Sequence, residues 1–248
     1  MTPPTVVVSD IHLGAIPAAG ERAFRAFLER VPDLGRGLLI NGDLFDFWFE
    51  YRQVVPRGHF GVLAALRGLV ERGVAVRFVG GNHDAWGGSF LADEVGLELV
   101  EGPALLEVGG RRAYVAHGDG LGGGDWGYRL LKRASRSRPG RALFRALHPD
   151  LGVPVARRAS ATEEKRAAGP GPEGLRADRL AAHAHGLLES RPDLDLVIFG
   201  HTHRPELDEV RPGRFYLNAG DWIHHRSYAV VSEVEIRLER WVPEGGGP

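Results

Sequence analysis

Three apolar runs in the first third of the chain are short, and each is closed by polar residues or glycine. They are TVVVSD at Thr5–Asp10, GLLING at Gly37–Gly42 and VAVRFVGG at Val74–Gly81. The segments between them carry apolar residues at helical spacing, namely Phe24, Phe27, Leu28, Val31, Leu63, Leu66, Leu69 and Val70. Near-continuous apolar strands that alternate with such helices are typical of a parallel sheet covered on both faces. The pattern therefore predicts an α/β fold.

Beyond the third run the apolar segments become shorter, and the pair Gly109–Gly110 signals a hairpin between two of them. The run LDLVIFGH has the form of another buried strand. Three later segments have the form of closing antiparallel strands: RFYLNAGD, SYAVVSEV and EIRLERW. The sequence has no internal repeat, and its length suits one α/β domain, so we expect residues 1–248 to form a single domain.

The segment over about 121–192 differs from the rest of the chain. Between Arg129 and Arg158 there are nine basic residues and one acid, Asp150, so the local formal charge is +8. Leucines interleave with these arginines, and the later sequence LRADRLAAHAHGLLES predicts a helix that returns to the sheet. We therefore predict a helical insertion rather than a second domain.

Composition narrows the classes of function. The formal net charge of −1 gives no indication of nucleic-acid binding. The absence of cysteine excludes disulfides, zinc–thiolate sites and cysteine nucleophiles, and it fits a reducing compartment. The start, MTPPTVVVSD, lacks the features of a signal peptide, and no run approaches the ~18 apolar residues of a membrane span. We expect a cytoplasmic protein that binds no nucleic acid.

Side chains with oxygen or imidazole donors stand where the predicted strands end. The set comprises Asp10, His12, Asp43, Asn82, His83, Asp84, His117, His201 and His203. In an open α/β sheet, ligands bind at the carboxyl ends of the strands, so these side chains are expected to converge. Glycine precedes three of the groups, which permits a close backbone approach or a turn with positive φ.

The chemistry of these donors indicates a pair of divalent metal ions. Mixed imidazole, carboxylate and amide ligands suit Mn, Fe, Zn, Ni or Co better than Ca or Mg alone. Two ions about 3.5–4 Å apart can clamp an attacking hydroxide and a phosphoryl oxygen for in-line displacement. One carboxylate must bridge the ions, and Asp43 is the natural candidate because it stands alone at its strand end.

Five motifs, DIHLG, NGDLFD, GGNHD, AHGD and GHTH, follow one another in an order that resembles the calcineurin-like dinuclear metallophosphoesterases. The resemblance implies a four-layer αββα sandwich with an inserted helical lid. It implies two metal sites, one formed by Asp10, His12, Asp43 and His203 and the other by Asp43, Asn82, His117 and His201. It also implies that His83 faces the phosphoryl group, stabilising its charge or protonating the leaving group, and that Asp84 orients His83.

A narrower resemblance extends over nearly the whole chain. The segments NGDLFDFW, GDWGYRLL, LFRALHPDLGVPVARRAS, GHTHRP and LNAGDW are similar to the UDP-2,3-diacylglucosamine diphosphatase family of lipid A biosynthesis. That family hydrolyses a UDP-linked glycolipid to lipid X and UMP with Mn²⁺, beneath a lid that holds the acyl chains. The resemblance implies substrate contacts from Asp125, Tyr128, Arg157 and Arg158. His83 departs from the best-known branch of the family, which has arginine at that position.

Two alternatives stay open alongside the glycolipid hydrolase. One is a metallophosphoesterase for a soluble phosphodiester or nucleotide, which His83 favours because a general acid suits many leaving groups. The other is a scaffold that keeps the fold without catalysis, although the seven ligand positions and His83 are all present here. The basic, leucine-rich insertion also has the physical character of a peripheral contact with an anionic membrane. The sequence does not indicate an oligomeric state.

Overall fold

The protein forms two β-sheets that pack face to face between layers of helices. The computed structural model describes residues 2–84, 86, 88–121, 137–152, 154 and 172–242. The strands in this part of the chain are β1 Thr5–Val8, β2 Gly37–Asn41, β3 Ala75–Val79, β4 Glu98–Val100, β5 Ala104–Val108, β6 Arg111–Val115, β7 Leu196–Phe199, β8 Glu206–Arg211, β9 Arg214–Asn218, β10 Ser227–Val231 and β11 Ile236–Arg240. The helices are α1 Ala18–Leu34, α2 Phe60–Glu71, α3 Arg138–Arg145 and α4 Pro172–Ser190, with a π-helical turn at Phe90–Glu94.

The first sheet has six strands in the order β11-β10-β1-β2-β3-β4. Strands β1 to β4 are parallel, whereas β10 and β11 are antiparallel additions beside β1. The second sheet has five strands in the order β5-β6-β7-β9-β8, with β6, β7 and β9 parallel and an antiparallel strand at each edge. Both sheets therefore present the carboxyl ends of parallel strands, which is where the predicted donors lie.

Successive side chains of a strand pack alternately against the helices and against the other sheet, and this produces the four layers. Val6 and Val8 belong to the apolar cluster on the helix-covered side of the first sheet, whereas Val7 belongs to the cluster between the two sheets. In the same way, Ile198 faces the other sheet while Phe199 packs in the cluster under α4. Because successive side chains of a strand point to opposite faces, runs buried on both faces must be apolar throughout. The predicted αββα sandwich is confirmed.

The predicted closing strands are confirmed in part. Strands β10 and β11 are antiparallel as predicted, and the short strand β4 extends the same sheet in parallel beside β3. Strand β9 pairs in parallel with β7, so it is not a simple closing antiparallel strand. Its antiparallel partner β8 was not predicted, because this edge strand carries four charged residues among its six.

Two helices of the predicted insertion lie within the described residues. Helix α3 begins after Ser137, whose side chain accepts a hydrogen bond from the Gly140 amide at 3.1 Å, as an N-cap residue does. Helix α4 is the predicted returning helix, and its buried Leu180, Ala184 and Leu188 pack in the cluster on the second sheet. Among the described residues, no helix is long and apolar enough to cross a bilayer.

Candidate metal centre

Five predicted ligands have a backbone conformation that a regular strand cannot adopt. Their φ values lie between 52° and 66°, and the residues are Asp10, His12, Asp43, His201 and His203. Only two other non-glycine positions among the described residues have positive φ. The left-handed region costs an L-residue about 1–2 kcal/mol, and such strain concentrates at functional sites. At each strand end it turns the chain out of the pleat and towards the neighbouring strand ends.

Backbone hydrogen bonds between strand ends stabilise these turns. The Asp10 amide donates to the Gly42 carbonyl at 3.1 Å, and the His12 amide donates to the Asp43 carbonyl at 2.9 Å. A side chain on Gly42 would overlap the imidazole of His117, and one on Gly81 would overlap the carboxylate of Asp43. Glycine is therefore required at both positions, because the donors approach the backbone too closely for a Cβ atom.

The carboxylate of Asp43 lies at the middle of the cluster and is fully buried. Its Oδ2 is 3.2 Å from Nε2 of His117, 3.8 Å from Nε2 of His12 and 3.9 Å from Nε2 of His83. Its Oδ1 accepts the His83 amide at 3.0 Å. Burial alone would raise the pKa of Asp43, but the surrounding imidazoles hold it well below its usual range. A carboxylate in this position lies between the predicted ligands of the two metal sites.

The two halves of the cluster lie on either side of Asp43. On one side, Nε2 of His203 is 3.5 Å from Oδ1 of Asp10, whose carboxylate also accepts the His201 amide at 3.0–3.1 Å. On the other, Nε2 of His117 is 3.2 Å from Oδ1 of Asn82. All seven predicted metal ligands therefore come together at the carboxyl ends of the parallel strands.

The predicted ligands also form compact triads. Ligand atoms lie within 4.8 Å of one another in three groups, which are Asp10–His12–His203, His12–Asp43–His83 and Asp43–His117–His201. The first triad is part of one predicted metal site, and the third triad, which contains Asp43, is part of the other. The second includes His83, which the sequence interpretation places towards the phosphoryl group.

The electrostatics of the donors suit a cation. Burial lowers the pKa of His12 and of His201 to about 3, so both imidazoles are neutral at pH 7 and keep a lone pair for a metal. Burial opposes a charge on His203 as well, but Asp10 and Asp221 raise its pKa to about 9. The carboxylates of Asp10 and Asp221 therefore stabilise a positive charge at His203. A bound metal ion would supply that charge in place of a proton. The residues present fit a pair of divalent ions.

The imidazole of His83 is held by a group other than the one predicted. Its Nδ1 lies 2.9 Å from the backbone carbonyl of Asp46, which requires Nδ1 to donate and leaves Nε2 towards Asp43. Burial lowers the pKa of His83, but Asp43 and the Asp46 carbonyl outweigh it, and the net shift is upwards. His83 is thus oriented as a proton donor at the edge of the cluster.

The carboxylate of Asp84 binds backbone instead of His83, which corrects the prediction that it orients that ring. Its oxygens accept the amides of Gly81 at 2.9 Å, Phe45 at 3.1 Å and Asp43 at 3.2 Å. Burial, followed by the nearby charge of Asp43, raises the pKa of Asp84 to about 7. Asp84 therefore joins the ends of β2 and β3, and it acts on His83 through the shared backbone and through its charge, which helps to raise the pKa of that imidazole.

An aromatic cluster connects helix α3 with the loops beside His83. Phe144 of α3 lies 4.5 Å from Phe49, 5.3 Å from Trp86 and 5.8 Å from Phe47, measured between ring centroids. The buried carboxylate of Glu50 supports this wall by accepting the Gly88 amide at 2.8 Å and the Phe90 amide at 3.0 Å. The sequence analysis did not single out this group, since its members are close only in the fold.

The four predicted lid contacts cannot be placed in the same way. Asp125, Tyr128, Arg157 and Arg158 lie outside the described residues. Their assignment to the substrate stays a prediction.

Comparisons with known proteins identify relatives of this chain. A family model described as calcineurin-like phosphoesterase matches residues 3–205. The UDP-2,3-diacylglucosamine hydrolase of Porphyromonas gingivalis is 32% identical over 93% of this chain and 95% of its own length. The enzyme of the same name from Aeromonas salmonicida is 32% identical over 95% of this chain and 92% of its own length. Among solved structures, a single mutant of Vps29 from Entamoeba histolytica matches with a TM-score of 0.44 and 16% identity, covering 96% of this chain and 98% of its own.

These relatives bear on the open alternatives. The curated relatives are hydrolases and match over nearly their full length, so this chain is a hydrolase and not a scaffold without catalysis. From the motifs at its strand ends, the αββα layers and the family match over most of its length, we conclude that the chain belongs to the calcineurin-like phosphoesterase family.

Proposed function

We propose that the protein is a two-metal hydrolase that cleaves the diphosphate of UDP-2,3-diacylglucosamine, giving lipid X and UMP. The observation that carries the proposal is the convergence of seven donor residues, with Asp43 at their centre, in a chain whose full-length relatives are named for this substrate. Mn²⁺ is the metal implied by the resemblance, and Fe, Zn, Ni and Co suit the same donors.

The residues divide the work of binding the ions. Asp10, His12 and His203 would hold one ion, Asn82, His117 and His201 would hold the other, and Asp43 would bridge them. When bound, such a pair supplies a nucleophile at neutral pH and neutralises charge on the phosphoryl oxygens. The burial of Asp10 and Asp43 keeps water from competing for these donors.

His83 acts on the leaving group in this proposal. Its Nδ1 donates to the Asp46 carbonyl, so its Nε2 remains to donate a proton or a hydrogen bond within the site. In a diphosphate, the bond that breaks leaves negative charge on the departing phosphate oxygen. A proton or a charge from His83 would stabilise that oxygen.

The lid side of the site supports an acylated substrate. The aromatic cluster of Phe47, Phe49, Trp86 and Phe144 gives the loops beside His83 an apolar wall. Beyond it, leucines four residues apart are exposed on the lid: Leu143 at 73%, Leu147 at 43% and Leu151 at 66%. A strip of exposed leucine within a basic segment has the composition of a surface that contacts acyl chains and anionic headgroups. We extend the proposal to peripheral binding at an anionic membrane.

A second candidate function is hydrolysis of a soluble phosphodiester or nucleotide. It is favoured by His83, which gives the site a general acid that does not depend on a glycolipid. The two candidates differ in what they require from the lid, because a small diester has no acyl chain to place.

The substrate test compares both classes on one preparation. The Mn²⁺-loaded protein should release UMP from UDP-2,3-diacylglucosamine at a higher kcat/KM than it shows for bis-p-nitrophenyl phosphate or cyclic nucleotides. Nucleotide release is followed by chromatography, and metal content is measured on the same sample. Absence of UMP with turnover of the small diester would favour the second candidate, whereas an inactive protein with two bound ions would refute both.

Polar replacements on the lid should separate lipid from small substrates. The double variant Leu147→Ser/Leu151→Ser is expected to lower kcat/KM for the glycolipid in anionic vesicles by roughly tenfold, since burying each leucine contributes up to about 1.5–3 kcal/mol. Turnover of the small diester should not change. Val234→Ser, which alters a residue 78% exposed between β10 and β11, is the matched control. Equal losses on both substrates would contradict a lipid-specific role.

A further inference from the structure

The end of strand β9 carries a buried carboxylate that is not among the predicted metal ligands. Asp221 follows Gly220, whose φ is 76°, and its side chain is wholly buried. The sequence at this point resembles Gly42–Asp43 at the end of β2, with one additional residue, Ala219, between the strand and the Gly-Asp pair. Asp221 thus lies at the same edge of the sandwich as the metal centre.

The two oxygens of Asp221 have separate partners. Oδ2 lies 3.2 Å from Nδ1 of His203. Oδ1 accepts the backbone amides of His224 at 3.0 Å and His225 at 2.9 Å, and it lies 3.1 Å from Nδ1 of His225. One oxygen therefore shapes the following turn, whereas the other faces a predicted ligand.

The same loop also contacts Asp10, the other predicted ligand beside His203. The amide of Trp222 donates to the backbone carbonyl of Asp10 at 3.1 Å, and the indole of Trp222 is buried in the core. Asp10 and His203 are 3.5 Å apart between Oδ1 and Nε2. The segment Asp221–Trp222 therefore contacts two predicted ligands of the same metal site, Asp10 and His203.

We propose that Asp221 is a positioning residue for His203, which fixes Nδ1 as the hydrogen-bond donor and keeps the lone pair of Nε2 turned towards Asp10 and the metal site. The inference rests on the proposed function, because it gives His203 the task of holding an ion. Asp221 does not bind the ion itself, since its carboxylate lies at Nδ1 and the two ring nitrogens point in different directions. Carboxylates that accept from the far nitrogen of a ligand histidine orient its ring and raise its basicity.

A purely structural role for Asp221 makes a different prediction. If the carboxylate only shaped the turn at residues 222–225, the Oδ1 contacts would suffice, and the Oδ2 contact with His203 would have no consequence for metal. Asp221→Asn separates these roles. Its amide oxygen can still accept the two backbone amides, but its NH₂ group would donate to Nδ1 of His203. The ring would then carry its proton on Nε2, where it blocks coordination.

The experiment is a Mn²⁺ titration without substrate, followed by calorimetry and metal analysis. Asp221→Asn should bind one ion about 10–100-fold more weakly than the wild type, the usual effect of losing such a carboxylate, while the other ion keeps its affinity. His225→Ala removes a partner of Oδ1 alone and is the matched control, with affinities expected to be unchanged. The unfolding midpoint of the metal-free Asp221→Asn chain should stay close to that of the wild type.

Three results would overturn the inference. They are unchanged affinity for both ions in Asp221→Asn, equal weakening of both ions together with a lower unfolding midpoint, and a matching loss in His225→Ala. The titration contains no glycolipid, so it is independent of the substrate test. A chain that binds two ions and loses one in Asp221→Asn, yet releases no UMP, would refute the proposed substrate and leave the role of Asp221 supported.

Discussion

Replacing Asp43 with alanine is expected to remove both metal ions and the hydrolase activity together. Three imidazole nitrogens, from His12, His117 and His83, lie 3.2–3.9 Å from its Oδ2, so the carboxylate contacts predicted ligands of both metal sites. The loss of several kcal/mol of charge stabilisation corresponds to a fall in turnover of at least ~10³-fold. Metal content and turnover should be measured on one sample of each variant.

Two controls separate loss of the site from loss of the fold. Asp208→Ala removes a carboxylate that pairs with His185 on the surface of the second sheet, and it should keep both ions and full activity. Thermal unfolding of metal-free Asp43→Ala tests whether the sandwich is intact. A folded Asp43→Ala protein that retains either ion at wild-type affinity would show that Asp43 does not bridge the sites.

Replacing His83 with alanine should leave metal binding intact and lower turnover by roughly 10²–10⁴-fold, the usual contribution of a general acid. The metal sites should survive because the contact between the residue 83 amide and Oδ1 of Asp43 belongs to the backbone. The proton donor is lost because the substitution removes the imidazole that the Asp46 carbonyl orients. Metal content and kcat on the same preparation check both parts.

The leaving group provides a sharper test of His83. A p-nitrophenolate needs little protonation when it departs, whereas an alkoxide oxygen needs much more, because an alcohol is a far weaker acid than p-nitrophenol. His83→Ala should therefore affect an alkyl phosphodiester more than bis-p-nitrophenyl phosphate. His117→Ala is the contrasting variant, since it removes a predicted ligand and should lower metal content. Empty metal sites in His83→Ala would contradict the assigned role.

The sequence predicts the convergence of these donor side chains because they obey a local rule. Each follows a buried strand, and topology brings the carboxyl ends of parallel strands to one edge without any detail of side-chain packing. Asp10 and His12 could be predicted from the position of β1 alone, and Asp43 could be predicted from that of β2. Glycines at 42 and 81 marked the close backbone approaches that the structure contains.

The features that sequence reasoning missed depend on contacts between distant segments. Strand β8 escaped prediction because charged residues on a sheet edge obscure the apolar alternation, a common property of edge strands. The amides accepted by Asp84 come from two strand ends about 40 residues apart, which no local pattern encodes. Asp221 did have a signal, the Gly-Asp pair shortly after a strand, but the sequence analysis used that segment only as a mark of family resemblance.

The central claim is that one buried carboxylate joins two divalent ions, and electron paramagnetic resonance during a Mn²⁺ titration tests it most directly. The account predicts that the intact chain takes up two Mn²⁺ ions with the spectrum of an exchange-coupled pair, and that this spectrum is absent from Asp43→Ala. Uptake of a single ion, or of two magnetically isolated ions whose spectrum is the same in both proteins, would contradict it.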